Sequence, residues 1–587
     1  MDTPRVGIPD RLASRMTMAE QHEYLRTRLT RRGMLRAGAA TAGAVTGTGL
    51  LGAGTAAYAR TPSPTLVTAP ATARVDGSLV APFGRHLAFG ADPRTQMRIS
   101  WQVPFAVRHP HARVGVRPWE LGERIPAEVR DLHTPALTKK LPAVDQVYLH
   151  VALDDLRPGQ TYYYGVGHDG HDPADPRHFT ALGTFTTAPS RPEPFVFTAF
   201  GDQGVSYHAL ANDQLILGQN PAFHLHAGDI CYADDSGAGK PTDVYDARVW
   251  DQFLAQTESV AARVPWMVTT GNHDMEAWYS PNGYGGQSAR WALPDNGFDP
   301  RHAPGVYSFA YGNVGVVALD ANDVSYEIAA NAGYSRGRQT AWLDRRLREL
   351  RELPDIDFLV VFFHHCAFST TRGHASDGGV RAAWLPLFEK HQVDLVINGH
   401  NHVYERTDAI KGTRVGKEVP IGESVDPAHD GIVYVTAGGA GKTLYDFPAA
   451  DSYEGHVRSV ESVPSYFWAK GRVKSPERVE WSRVRYTGYS FLAVEAEPGR
   501  RPRLRVTALA ESGARIDHFT VVRSGRRAEP GPEPATPTGR GAGPEPATPT
   551  GGEPGTITGG EPGTITGRES GPEPGAAGPR TGGAVGQ

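Results

Sequence analysis

Seven side chains of metal-ligating type, Asp202, Asp229, Tyr232, Asn272, His364, His400 and His402, fall in five short blocks along the chain. The blocks are Asp202-Gln203-Gly204, Gly228-Asp229-Ile230-Cys231-Tyr232, Gly271-Asn272-His273-Asp274, Val361-Phe362-Phe363-His364 and Gly399-His400-Asn401-His402. Two carboxylates, a phenol, an amide and three imidazoles make a hard-to-borderline oxygen and nitrogen set without thiolate. Such a set suits iron, manganese or zinc better than a structural zinc clasp. Asp229 is the natural bridge, because a carboxylate shared by two cations holds them about 3.5–4 Å apart, the spacing used for in-line displacement at phosphorus.

The elements that must position these side chains are legible as apolar runs. Phe195 to Phe200, Ala222 to Ala227, Val264 to Thr269, Phe358 to Phe363 and Val393 to Ile397 each read as a buried strand running into a block. Open α/β sheets put their chemistry beyond the carboxyl ends of the strands, so the layout is that of an enzyme. Leu343, Leu347 and Leu350 mark a helix face, and Gly305 to Asp320 reads as a hairpin about Gly312-Asn313. Ile432 to Thr436 and Phe491 to Val522 add strands, enough for a second sheet packed on the first. The Gly438-Gly439-Ala440-Gly441 run is explained by backbone geometry alone. Upstream, Met97, Ile99, Trp101 and Val103, and then Val147, Leu149, Val151 and Leu153, alternate with polar residues as in a small β-sandwich.

The five blocks resemble those of the calcineurin-like metallophosphoesterases, and two details resemble the purple acid phosphatases in particular. Gly204 stands where most of the superfamily has His, and Tyr232 follows the second Asp by three residues. The β-sandwich is similar to that of the high-molecular-weight plant and bacterial members, so the resemblance spans Ala81 to Arg523. It implies a fibronectin-like all-β sandwich over residues 81–189 and a four-layer α/β/β/α metallophosphoesterase domain over 190–523. It further implies ferric iron held by Asp202, Tyr232 and His402, a divalent iron, zinc or manganese held by Asn272, His364 and His400, and Asp229 on both. The activity implied is acid hydrolysis of small phosphate monoesters, with a metal-bound hydroxide as nucleophile.

The same resemblance makes His273 a non-ligand that binds phosphate and helps protonate the leaving oxygen, with the following acidic residue, here Asp274, orienting its ring. His374, ten residues after His364, sits where plant members carry a second substrate-binding His; an exposed loop residue is the other reading. His365 has a weaker claim. Substrate choice would lie in loops such as Met275 to Gly305, rich in Trp, Tyr and Gly. A phosphodiesterase or phospholipase of the same superfamily is the alternative enzyme. A cell-surface binding protein with structural metals is the alternative of another class, since β-sandwiches usually present surfaces.

The 587 residues divide further at the ends. Residues 1–59 read as a twin-arginine signal: Arg31-Arg32, a weakly apolar run from Ala37 to Ala57, and Ala57-Tyr58-Ala59 before the cleavage point. Export to the cell exterior follows, with 60–80 as linker and no membrane-spanning segment left after cleavage. Residues 524–587 repeat Glu-Pro-Ala-Thr-Pro-Thr-Gly and Glu-Pro-Gly-Thr-Ile-Thr-Gly, a composition too poor in apolar side chains to offset chain entropy. This is a disordered tail, and cell-wall association is its candidate use. A net charge of -4 and a pI near 6.6 give no case for nucleic acid. The two cysteines, Cys231 and Cys366, read as buried free thiols, and the oligomeric state is left open by the sequence.

Overall fold

The computed structural model describes residues 77–524, apart from 177–181, 235, 241–242, 277–281, 449–456 and 460–461. The expected signal segment, the first part of the linker and nearly all of the repeat tail lie outside the described residues, as does part of the Met275 to Gly305 loop.

The period-2 stretches upstream form two four-stranded antiparallel sheets. One orders Phe83–Phe89, Met97–Val103, Val144–Leu153 and Glu128–Thr134; the other orders Ile125–Pro126, His111–Gly115, Thr161–Gly167 and Gly183–Thr186. Their inward side chains, among them Ile99, Trp101, Leu149, Val151 and Tyr164, are buried together. This is the expected sandwich.

Downstream the chain makes two larger mixed sheets. In a seven-stranded sheet Trp266–Val268, Phe223–His226 and Phe195–Phe200 run parallel, and Ser490–Glu497, Arg503–Ala510 and Arg515–Val522 extend it in antiparallel pairing. In an eight-stranded sheet Val314–Ala318, Phe358–Phe363, Leu395–Asn398 and Val433–Ala437 run parallel, flanked by the hairpin strand Tyr307–Tyr311 on one side and Tyr404–Thr407 on the other.

The strand Phe358–Phe363 shows why the layers stack. Phe358, Val360 and Phe362 enter the core between the two sheets, while Leu359, Val361 and Phe363 enter a second core under the helices Arg338–Glu352 and Gly378–Lys390. Successive side chains point to opposite faces, and a strand covered on both faces must be apolar throughout. A third core packs Phe200, Trp266 and Val268 against the helices Tyr207–Gly218 and Arg248–Ala261. The result is the predicted order of helices, sheet, sheet, helices, and the carboxyl ends of parallel strands from both sheets meet where Asp202, Asp229 and His364 come together. Among the described residues no helix is long and apolar enough to cross a membrane.

Candidate metal centre

Each block lies at the carboxyl end of a strand, and in three of the five the chain turns through backbone conformations that side-chain-bearing residues rarely adopt. Asp202, Asp229, Tyr232 and His400 all have positive φ, between 51° and 68°. Non-glycine residues stay in this region only where the surroundings over-determine them, and such residues cluster at functional sites. Here the loops hold one another: the amides of Asp202, Gln203 and Gly204 donate to the carbonyls of Gly228, Asp229 and Ile230, and the His400 amide donates to Asp202 Oδ2 at 2.8 Å. The Gly438 to Gly441 run packs so closely that a Cβ on Gly438 would lie 2.2 Å from the Asn401 carbonyl oxygen. Close backbone approach is its role, as its composition implied.

The structure brings all seven predicted ligand residues together and buries them, none more than 4% exposed. They fall into two groups. Tyr232 Oη lies 3.0 Å from Asp202 Oδ1 and 2.8 Å from His402 Nε2, with 3.4 Å between the last two. His364 Nε2 lies 3.1 Å from Asn272 Oδ1, 3.2 Å from His400 Nδ1 and 3.2 Å from Asp229 Oδ2. One ligand atom from each of Asp202, Asp229 and His364 falls within 4.8 Å of the others, which joins the two groups into one cluster.

The donor set fits a pair of cations. Each imidazole is anchored through its outer nitrogen: His364 Nδ1 on the Ala227 carbonyl at 2.8 Å, His402 Nδ1 on the Thr443 carbonyl at 2.6 Å, and His400 Nε2 on Glu327 Oε2 at 3.0 Å. With the proton fixed outside, the inner nitrogen presents a lone pair to its neighbours, the arrangement that orients metal-ligating histidines. Asn272 likewise spends its amide nitrogen on the Gly237 carbonyl and turns its oxygen inward. Lone pairs facing one another at these distances repel unless positive charge lies between them. Without metal, a proton on His364 supplies part of it: burial opposes the charge, but Asp229 and Asp202 outweigh it and lift the imidazole to about 9. Burial, followed by the charges of Asp202 and Asp229, pushes the Tyr232 phenol well above its ordinary value, so a phenolate there requires a cation.

His273 and His374 stand at the rim, with side chains 16% and 30% exposed. His273 Nε2 lies 4.0 Å from Asp229 Oδ2, and its ring packs 4.5 Å from that of Tyr232. The residue that orients His273 differs from the expectation. Its Nδ1 bonds to the backbone carbonyl of Asp234 at 2.5 Å, and Asp274 turns the other way. The Asp274 carboxylate accepts from the amides of Asp229, Gly271 and Ile230 at 2.9, 2.8 and 3.1 Å, a clamp on the loops instead of an orienter of the ring. Its shorter side chain, compared with Glu, suits backbone amides close by.

His374 is tied through Nδ1 to Glu327 at 2.6 Å, and its ring lies 4.5 Å from that of His400. Sequence reasoning did not identify Glu327, which sits in a loop without periodicity or motif. His365 is buried with both ring nitrogens lacking a protein partner, away from the rim. Both cysteines are free and buried.

Compared with known proteins, residues 82–187 match the family described as purple acid phosphatase, N-terminal domain, and residues 195–404 match that described as calcineurin-like phosphoesterase. An uncharacterized protein of Mycobacterium tuberculosis is 31% identical over 486 residues, covering 75% of this chain and 87% of its own length. Purple acid phosphatase 21 of Arabidopsis thaliana is 30% identical over 295 residues, covering 50% of this chain and 58% of that protein. The structure of purple acid phosphatase PPD1 from yellow lupin seeds shares the fold, with a TM-score of 0.56 and 18% identity over 76% of this chain and 74% of that one. An all-β domain and a phosphoesterase domain matched in order, with the ligand-type residues gathered at the strand ends, make this chain a member of the purple acid phosphatase family of metallophosphoesterases, a family built on a dinuclear metal centre.

Proposed function

We propose that the protein is an exported acid phosphatase that hydrolyses small phosphate monoesters at this cluster. The observation that carries the reading is the aim of the donor atoms: three imidazoles, each anchored through one nitrogen, point the other at two carboxylates, a phenol and an amide oxygen. Asp202, Tyr232 and His402 would hold one ion, Asn272, His364 and His400 the other, and Asp229 both. A phenolate with carboxylates suits a trivalent ion, here iron; a neutral amide with two imidazoles suits a divalent one, iron, zinc or manganese. When bound, the pair supplies positive charge for the phosphoryl oxygens and an acidified water to attack phosphorus.

The remaining steps belong to the chain's own side chains. With Nδ1 fixed on the Asp234 carbonyl, His273 keeps Nε2 for the substrate, where a proton carried on that atom passes to the leaving oxygen. His374 faces the same opening from the His400 side and binds a phosphoryl oxygen. Burial of the seven ligand side chains excludes bulk water and strengthens each of these interactions.

The test is expression of the full chain with its own leader, followed by assay of medium and cells on p-nitrophenyl phosphate and its bis-ester. Monoesterase activity in the medium is expected, lost on chelation and restored by added metal. Replacing Arg31 and Arg32 by Lys should keep that activity inside the cell. A preference for the bis-ester would make the protein a diesterase, and inactivity on both esters with metal present would refute the reading.

A further inference from the structure

Glu327 is a buried carboxylate, 5% exposed, whose two oxygens each meet an imidazole. Oε1 lies 2.6 Å from His374 Nδ1 and Oε2 lies 3.0 Å from His400 Nε2. A buried carboxylate is costly unless its partners are fixed, and here the fold fixes it from behind. The amides of Tyr326 and Glu327 donate to the Asp377 carboxylate, at 3.0 and 3.1 Å to its Oδ2, and Ser325 Oγ donates to the same oxygen at 2.6 Å. Asp377 also caps the helix Gly378–Lys390 by accepting from the amides of Gly379 and Val380. The approach is so close that a Cβ on Gly379 would lie 1.9 Å from the Val324 carbonyl oxygen. On the other side, Ala375 takes a φ of 53° and its carbonyl accepts from Asn401 Nδ2 at 3.0 Å, which holds the His374 loop.

We propose that Glu327 is a positioning residue for both halves of the site: by fixing the proton of His400 on Nε2 it turns Nδ1 to the second cation, and by fixing the proton of His374 on Nδ1 it leaves Nε2 for the phosphoryl group. The proposal rests on the reading of the cluster given above. One carboxylate does both because it accepts at two oxygens. Glutamine accepts at one only, and its amide nitrogen would face an N–H of the other ring. The Glu327→Gln side chain therefore loses one of the two contacts or forces one imidazole into the wrong tautomer.

The experiment uses the metal-stripped full chain titrated with Mn²⁺ by calorimetry, followed by inhibition by inorganic phosphate at saturating metal. Glu327→Ala is expected to weaken one of two Mn²⁺ sites by about 10- to 100-fold, the usual effect of losing a group that orients a ligand, and to leave the other unchanged. His374→Ala should leave both Mn²⁺ affinities intact and weaken phosphate inhibition. At saturating metal Glu327→Ala should weaken phosphate inhibition by the same factor, and the double variant no further. Glu327→Gln should show at least one of the two weakenings while keeping the thermal midpoint, which separates positioning from loss of fold. Wild-type Mn²⁺ affinity in both Glu327 variants, or unchanged phosphate inhibition in Glu327→Ala, overturns the proposal. A third Mn²⁺ equivalent that Glu327→Ala abolishes would make Glu327 a ligand and overturn it as well. A wild-type chain that takes up fewer than two ions when offered iron together with Mn²⁺ would refute the dinuclear reading itself, and this proposal with it.

Discussion

His273 is the residue whose role the geometry separates most cleanly from ligation. Its neighbours at the site bring their inner atoms within 3.4 Å of one another, whereas His273 Nε2 keeps 4.0 Å from Asp229 Oδ2. His273→Ala is accordingly expected to retain both metals. On monoesters with poor, high-pKa leaving groups its rate should fall by about 100- to 10,000-fold, the worth of a positioned acid, and by less on esters of acidic phenols. Equal losses on both substrate types, or loss of metal, would contradict the assignment. At this scale the sequence revealed what sits in short blocks after apolar runs, which is why the seven clustered side chains were legible. Glu327 was not, because it reaches His374 across 47 positions of chain through a loop with no pattern. Nor was the Asp234 carbonyl, since every residue has one.

At the scale of elements, the ligand loops depend on a buried clamp. Three amides, of Asp229, Gly271 and Ile230, end on the Asp274 carboxylate. Burial and then the Asp229 charge push that carboxyl up to about 7, while the amides favour the ionised form. The three donors at hydrogen-bond distance weigh more, because an uncompensated N–H in this position has no other acceptor. Each amide left buried and unpaired costs about 1–3 kcal/mol. Asp274→Ala should therefore lower unfolding free energy in urea by more than about 3 kcal/mol and reduce metal occupancy, with Asp274→Asn intermediate. A loss under about 1 kcal/mol would show that the loops hold themselves. Most strands were legible because runs covered on both faces are apolar throughout. The hairpin of Val463–Ala469 and Val473–Val479, which pairs with Ser376–Asp377 beside His374, was not. Much of it faces solvent on a mixed pattern, so burial leaves no trace there.

Across the whole molecule, the sandwich is built into the enzyme. Tyr164 Oη donates to the Ala262 carbonyl, Gln102 and Gln146 both reach Asp251, and Arg130 donates to the carbonyls of Ser288 and Trp291. His150 donates through Nε2 to the Ala289 carbonyl, next to Arg290, whose buried ion pair with Glu276 lies two residues beyond Asp274. The sandwich thus braces the segment that follows the third block, a role that alternation of side chains alone does not reveal. His150 and His224 are buried and held well below the ordinary imidazole value, and His226 is held at about 3, burial being the main cause in each. The unfolded chain takes up these protons below about pH 6.5 and the folded chain does not, so stability is full above that pH and falls as the pH drops. Each group contributes a slope of up to about 1.4 kcal/mol per pH unit. Between pH 6.5 and 4.5 the thermal midpoint of the wild type should fall relative to that of His150→Gln; parallel profiles would contradict it. The central claim, two metals in one buried cluster with Tyr232 on a ferric ion, is tested most directly by the metal content and visible spectrum of the purified wild type and Tyr232→Phe. Two ions per chain, iron among them, and a visible band that Tyr232→Phe abolishes are the predicted result; a colourless, active wild type holding only divalent metal would contradict it.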